Sequence, residues 1–182
     1  MTEERICASL IDMMEKVNFS DIKVSELINY TKISRSTFYF YFSSIPDVLD
    51  KMENDFINGI SDEYTAISRI SEHRQKNAPA EDLILPTITF VGNNLRLFRI
   101  LCGSNGNPQF RTKLQDRIKR IANISFSHAA HISPARMALT CEFMASAQWA
   151  IYSWWATHEN EITIAEMCSF VSDYLSSLNS FF

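Results

Sequence analysis

Glycine and proline are scarce in this chain, 4 and 5 of 182 residues. That excludes a fold made of many tight turns, which draw on the positive φ of glycine and the fixed φ of proline. Cysteine is scarce as well. Cys7, Cys102, Cys141 and Cys168 are far apart, with no Cys-x-x-Cys pair, so a disulfide framework and a thiolate zinc site are both unexpected, and each reads as a reduced core thiol. No apolar run reaches the roughly 18 residues of a membrane span. The opening Met1-Thr2-Glu3-Glu4-Arg5 has neither a basic nor an apolar leader region, and a cytoplasmic protein without membrane contact is expected. Also missing are a glycine-rich phosphate loop, paired carboxylates in an apolar setting, and a Ser or Cys spaced to meet a His. Neither an enzyme nor a cofactor is therefore expected. Positive charge is short too: the formal net charge is −4, and residues 1–50 hold five Lys or Arg against eight Asp or Glu. A non-specific nucleic-acid binder would not have this balance.

What the chain does have is apolar residues, 46% of the total, recurring at three and four. With so few turn formers, an all-α fold follows. Val24 to about Tyr30 reads as one short helix, with Leu27 and Ile28 inward and Glu26 in the first turn, where a carboxylate suits the helix dipole. Lys32, Ile33 and Ser34 make a turn. Ile33 is its apolar lock, and Ser34 suits the N-cap of a second helix, Arg35 to about Tyr41. Two short helices joined this tightly, the second rich in hydroxyls and carrying one Arg, read as a helix-turn-helix that docks on DNA.

The run Ile33-Ser34-Arg35-Ser36-Thr37-Phe38-Tyr39-Phe40-Tyr41-Phe42, preceded by a helix near residues 2–17 and an Asn18-Phe19 corner, closely resembles the N-terminal domain of TetR-type transcriptional regulators. The resemblance covers roughly the first 50 residues and is specific in its spacing. Three positions depart from the family pattern: Lys32 and Asn18 each stand where glycine is usual, and Ile45-Pro46 replaces a usual Lys-Glu. Asn tolerates positive φ, Lys32 strains the turn, and Ile45 removes a backbone-phosphate contact. By helix geometry Arg35, Ser36 and Thr37 face base edges. Arg suits the paired acceptors of guanine, and the Thr methyl suits a thymine methyl. Tyr39 and Tyr41 would hydrogen-bond phosphates, Lys23 would reach one from the start of the preceding helix, and Lys32 lies near the same face. Phe38 and Phe42 are core. Affinity should be modest and fall with salt.

Further along, Ser44 caps a long helix from Ile45-Pro46-Asp47 to about Ser71, its apolar positions including Val48, Leu49, Met52, Phe56, Ile60, Tyr64, Ile67 and Ile70. His73 to Pro79 reads as an interdomain loop. Shorter helices follow at Leu83–Val91, with Pro86 near its start or kinking it, and at Leu95–Leu101. The break Gly103-Ser104-Asn105-Gly106-Asn107-Pro108 precedes an amphipathic helix marked by Phe110, Leu114, Ile118 and Ile121.

The last two helices, about residues 134–158 and 161–181, look like a dimer-forming pair. The first is apolar all round. The second has one stripe at Ile164, Cys168, Val171, Leu175 and Leu178 and another at Met167, Phe170, Tyr174 and Phe181, as though one side meets the chain's own core and the other a twofold-related copy. The family resemblance implies the same four-helix interface. Phe90, Phe98, Phe143, Trp149, Trp154 and Trp155 are candidate walls of a cavity for a flat apolar effector, a filled core being an equal alternative. His128 and His131 lack further ligands at metal spacing, and no metal site is expected. The basic run Arg111, Lys113, Arg117, Lys119 and Arg120 reads as a solvated helix face.

The sequence thus points to a helix-turn-helix DNA-binding domain at residues 1–45 and a helical ligand-binding and dimerisation domain at residues 46–182. The function expected is a homodimeric repressor of TetR type on a palindromic double-stranded operator, released by a small-molecule effector. Two alternatives stand beside it: a TetR-like co-regulator acting through protein contacts, and a helical small-molecule-binding domain that does not bind DNA.

Overall fold

The computed structural model describes the backbone of residues 2–73, 80–126 and 133–179, and their side chains except those of 61–83, 124–126 and 175–179. Among these residues every regular element is helical, as the shortage of turn formers implied. The elements are α1 (Thr2–Met14), a 3₁₀ turn (Phe19–Asp21), α2 (Val24–Thr31), α3 (Arg35–Tyr41), α4 (Ile45–His73), α5 (Ala80–Asn93), α6 (Leu95–Cys102), α7 (Phe110–Phe126), α8 (Pro134–Thr157) and α9 (Ile164–Asn179). No helix among the described residues is long and apolar enough to cross a membrane.

The chain divides into two compact units. The first contains Met1–Phe56 together with Arg96–Arg111, and the second Ile57–Leu95 together with Thr112–Phe182. In the first unit, Ile6, Leu10 and Met14 of α1, Leu27 of α2, Phe38 of α3 and Val48, Leu49 and Phe56 of α4 form a closed apolar core. Phe98 of α6 and Phe110 of α7 join it. Their rings stand 5.4 and 6.1 Å from that of Phe56 and 6.0 Å from each other, separations at which aromatic pairs add about 0.5–1.5 kcal/mol beyond their buried area.

The loop after α6 is tied down through the open end of α1. The Asn105 side-chain amide donates to the Met14 carbonyl (2.9 Å), that of Asn18 donates to the Ser104 carbonyl (2.9 Å), and the Phe19 N–H donates to the Asn105 carbonyl (3.0 Å). The first of these bonds satisfies a carbonyl that the end of α1 leaves without an intrahelical partner. Asn107 donates to Glu53 Oε2 (3.4 Å), a carboxylate with 0% exposure in α4.

In the second unit α5 lies along α9. Glycine is required where these helices meet α8: a Cβ on Gly92 would sit 2.8 Å from both Ile164 and Trp155. The Trp155 indole is buried and donates to the Ile162 carbonyl (3.3 Å). The α9 start is held by a reciprocal pair, Thr163 N–H to Glu166 Oε2 (2.9 Å) and Glu166 N–H to Thr163 Oγ1 (3.2 Å), the arrangement of a capping box.

Several boundaries differ from the sequence reading for local reasons. Helix α1 stops at Met14, not at 17, and α5 already begins at Ala80, so Pro86 lies in its interior. A proline there removes one N–H rung while the flanking turns keep the helix going. Met167 is buried beside Cys168, whereas Phe170 and Tyr174 are exposed, so Met167 belongs to the inward stripe. The expected loop at 74–79, the pair His128 and His131, and the side chains of Tyr64, Ile67, Ile70, Leu175, Leu178 and Phe181 lie outside the described residues.

Candidate nucleic-acid interface

Helix α3 is short, and its start is built by hydroxyls. Ser34, extended at φ −79° and ψ 157°, accepts from the Thr37 N–H at 3.0 Å, as an N-cap should. The Ser34 hydroxyl also lies 2.8 Å from that of Ser36 and 2.7 Å from that of Thr37. Ser36 and Thr37, two of the three candidate readers, are thereby tied to the cap, with Arg35 between Ser34 and Ser36 in the same first turn. Arg35 is exposed, with its guanidinium carbon 5.7 Å from the Tyr39 ring centroid, within cation–π range. Phe38 and Phe42 anchor the opposite side as core residues, 0% and 5% exposed.

The turn before α3 is held open by one residue in the left-handed region, Lys32, with φ 57° and ψ 44°. A side chain with a Cβ is strained there, and the position is the one where glycine is usual in the resembled family. Its N–H closes α2 by donating to the Ile28 carbonyl, and the Ile33 N–H donates to the same carbonyl at 3.3 Å. At the other end of α2 the Lys23 N–H donates to Glu26 Oε2 at 2.9 Å. Lys23, Lys32 and Arg35 are all exposed and form no ion pair among the described residues.

Tyr39 and Tyr41 are 48% and 39% exposed, which leaves their rings open to a partner. One residue stands out further: Phe40, at 80% exposure, shows more of itself than any other large apolar side chain described. No role was assigned to it from the sequence. Helical spacing carries the missing signal, since position 40 is four from Ser36 and three from Thr37 and so shares their face. Ile45 is buried at 4% and takes part in the core of the first unit.

The six aromatic residues expected to wall an effector cavity are dispersed. Phe98 is in the first unit, closed between Phe56 and Phe110, and Trp155 is buried. Phe143 is half exposed and stacked on Tyr174, at 6.3 Å and 20°. Trp154 is half exposed and stacked on His158, at 4.4 Å and 4°, and Trp149 is half buried. Phe90 borders an open depression of about 440 Å³ lined by Leu85, Pro86, Thr89, Phe90, Asn93 and Asn94. The Phe90 ring reaches over the backbone of Gly59, where a Cβ would stand 2.1 Å from its tip.

Burial pushes Cys7 up to about 11 against the opposing pull of Lys51, and raises Cys102 and Cys141 above the ordinary thiol value, so all three stay protonated at neutral pH. No group of three His, Cys, Asp or Glu suited to a metal ion occurs among the described residues.

Known proteins place this fold. The family model TetR_C_8, described as transcriptional regulator C-terminal region, matches residues 80–177, more than half of the chain, and the chain belongs to the TetR family of transcriptional regulators. No curated protein matches it in sequence. Among solved structures it is similar to a TetR-family transcriptional regulator from Syntrophomonas wolfei (TM-score 0.68, 18% identity, covering 97% of this chain and 94% of that one). It is also similar to the dihydroxyacetone kinase operon activator DhaS (TM-score 0.67, 19% identity, 100% and 98%). A third likeness is to the transcriptional regulator FadR from Bacillus subtilis in complex with stearoyl-CoA (TM-score 0.65, 13% identity, 94% and 96%).

Proposed function

We propose that the chain is a homodimeric, sequence-specific DNA-binding regulator that represses from a palindromic operator until a small molecule releases it. The observation that carries this reading is the Ser34-capped start of α3, where Arg35, Ser36 and Thr37 stand together and exposed or half-exposed, flanked by the uncompensated charges of Lys23 and Lys32. Such an end fits the major groove, and base edges are the targets its donors suit. The eight acidic residues among the first 50 lower affinity for any polyanion, and this is compatible with site-specific binding because charge need favour only the face that meets phosphate.

Selecting bound fragments from random double-stranded DNA, followed by gel shifts over a salt series, tests the reading. Arg35→Ala should cost about 1–3 kcal/mol on the selected site and relax preference at one position per half-site. Tyr39→Phe, by removing a phosphate bond, should weaken all sequences alike. A base-specific loss for Tyr39→Phe, or none for Arg35→Ala, overturns these roles.

The hollow beside Phe90 supports an effector site in the second unit. Its lining residues, Leu85, Pro86, Thr89, Phe90, Asn93 and Asn94, all belong to that unit. An effector releases DNA only by binding the released form better, and 1.4 kcal/mol of such preference gives about tenfold relief. The FadR structure supports an acyl-bearing effector as one class to try. Titrating candidate compounds while following tryptophan fluorescence and DNA release together tests this part independently of the first.

A second reading, a co-regulator acting through protein contacts, is favoured by the net charge of about −3 over residues 1–50 and by burial of Ile45 where the family usually carries Lys. Failure of the selection to retain any DNA would favour it.

A further inference from the structure

We infer that Phe40 reads the 5-methyl group of one thymine in each half-site, beside the bases faced by Ser36 and Thr37. The inference rests on the DNA-binding reading and deepens it. Phe40 is 80% exposed while Phe38 and Phe42, two residues to either side, are buried, so its side of α3 is the one turned away from the core. It shares that side with Ser36 and Thr37 through i, i+4 and i, i+3 spacing. The ring is also held: it meets the Tyr41 ring edge-on, at 5.0 Å and 87°, which limits the rotamer freedom that a contact would otherwise have to freeze.

Chemistry then narrows the occupant. A phenyl ring has no donor or acceptor, so it cannot bond a phosphate or the polar edges of guanine, adenine or cytosine. The apolar feature that duplex DNA presents in its major groove is the thymine methyl, which Phe is suited to touch. The face is continuous with the capped end of α3, and the one charged residue of that helix, Arg35, is positive, which suits a polyanion carrying an apolar spot and disfavours a basic partner. With a net acidic domain supplying little general attraction, an apolar base contact accounts for sequence preference that phosphate contacts cannot give.

The test uses the operator recovered by selection, with each thymine replaced in turn by uracil, which differs only by that methyl. The full-length wild-type protein should lose about fourfold in affinity at one position per half-site, the factor expected for burying one methylene-sized group. Phe40→Ala should bind the thymine operator more weakly than wild type and bind thymine and uracil versions equally. Phe40→Leu should keep part of the difference. Circular dichroism of both variants should match wild type, since the side chain supports no core contact. Wild-type affinity in Phe40→Ala overturns the inference, and so does a loss that leaves the thymine–uracil difference intact, as a sugar or backbone contact would. Either result spares DNA binding itself. A wild-type protein that retains no DNA overturns both readings.

Discussion

Arg96 of α6 places Nη2 2.6 Å from Asp12 Oδ1 of α1, and its Nε lies 2.9 Å from Glu15 Oε1. Carboxylates at a helix C-terminus oppose the helix dipole, and a guanidinium set against two of them offsets that cost. It also ties α6 to the end of α1 within the first unit.

All three partners are about half exposed, so solvent screens the pair. Arg96→Ala should cost no more than about 1 kcal/mol in urea unfolding, and less in high salt. Asn105→Ala should cost more, about 1–3 kcal/mol, because it strips a half-buried carbonyl at the end of α1 of its donor. A larger loss for Arg96→Ala than for Asn105→Ala would show that the exposed ion cluster, not the loop, holds α6 to α1.

Lys32 separates stability from binding. Lys32→Gly relieves a left-handed side-chain residue and should raise stability by about 1 kcal/mol, the order of the strain removed less the added freedom of the unfolded chain. The same change deletes a positive charge beside α3. If Lys32 meets a phosphate, the salt dependence of operator binding should fall by about one counterion. Thermal unfolding and a gel-shift salt series measure the two effects separately, and an unfolding temperature that drops in Lys32→Gly refutes the strain argument.

Acid should loosen α9 from its first turn. Hydrogen bonds from the Thr163 N–H and hydroxyl hold the Glu166 carboxyl below its ordinary value of 4.5. A lowered carboxyl pKa means that the folded form gains from ionisation. The gain is present above the unfolded value and is lost as pH falls through the lower folded value. The protection of amides at the start of α9, taken relative to their intrinsic exchange rate at each pH, should therefore fall on acidification into that range. Glu166→Gln keeps an acceptor without the titration, and its exchange in this segment should show no such step.

The parts legible in the sequence are those decided within a few residues. The Ser34 cap, the limits of α3 at Arg35 and Tyr41, and the Ser44 hydroxyl receiving the Asp47 N–H at 3.3 Å all follow from side chains acting on the backbone one turn away. Partner choice was not legible. Phe98 has the same helical periodicity whether it lines a cavity or closes on Phe56 and Phe110, and only the tertiary path of α6, carried into the first unit, decides between them. For Pro86 the sequence left open a place near the helix start or a kink, because the rule for proline is local, whereas α5 begins at Ala80 and runs on through it alongside α9. Phe40 was hidden for the opposite reason. A phenylalanine defaults to the core, and its exposure follows from which side Phe38 and Phe42 had already claimed.

Assembly gives the last prediction. Leu139, Phe143 and Trp154 of α8 are 71%, 47% and 44% exposed, and Phe170 and Tyr174 of α9 are 54% and 44% exposed. Along α8 the positions 139, 143, 150 and 154 fall at spacings of four and seven, one stripe with the small Ala150 in its middle. The Phe143–Tyr174 stack makes the exposed sides of the two helices continuous. A contiguous apolar patch on two neighbouring helices marks an interaction surface, and a twofold copy covering it would bring four helices together. Phe170→Glu places a charge in that surface, where pairing would bury it against its twin, so light scattering should show dimer for wild type and monomer for the variant at the same micromolar concentration. Removing residues 161–182 should instead give aggregated protein, because it uncovers the inward stripe of Met167 and Cys168's neighbours on α5 as well. A wild-type chain that stays monomeric at micromolar concentration would remove the dimer, and with it the half-sites set about 34–36 Å apart that two copies of α3 would read.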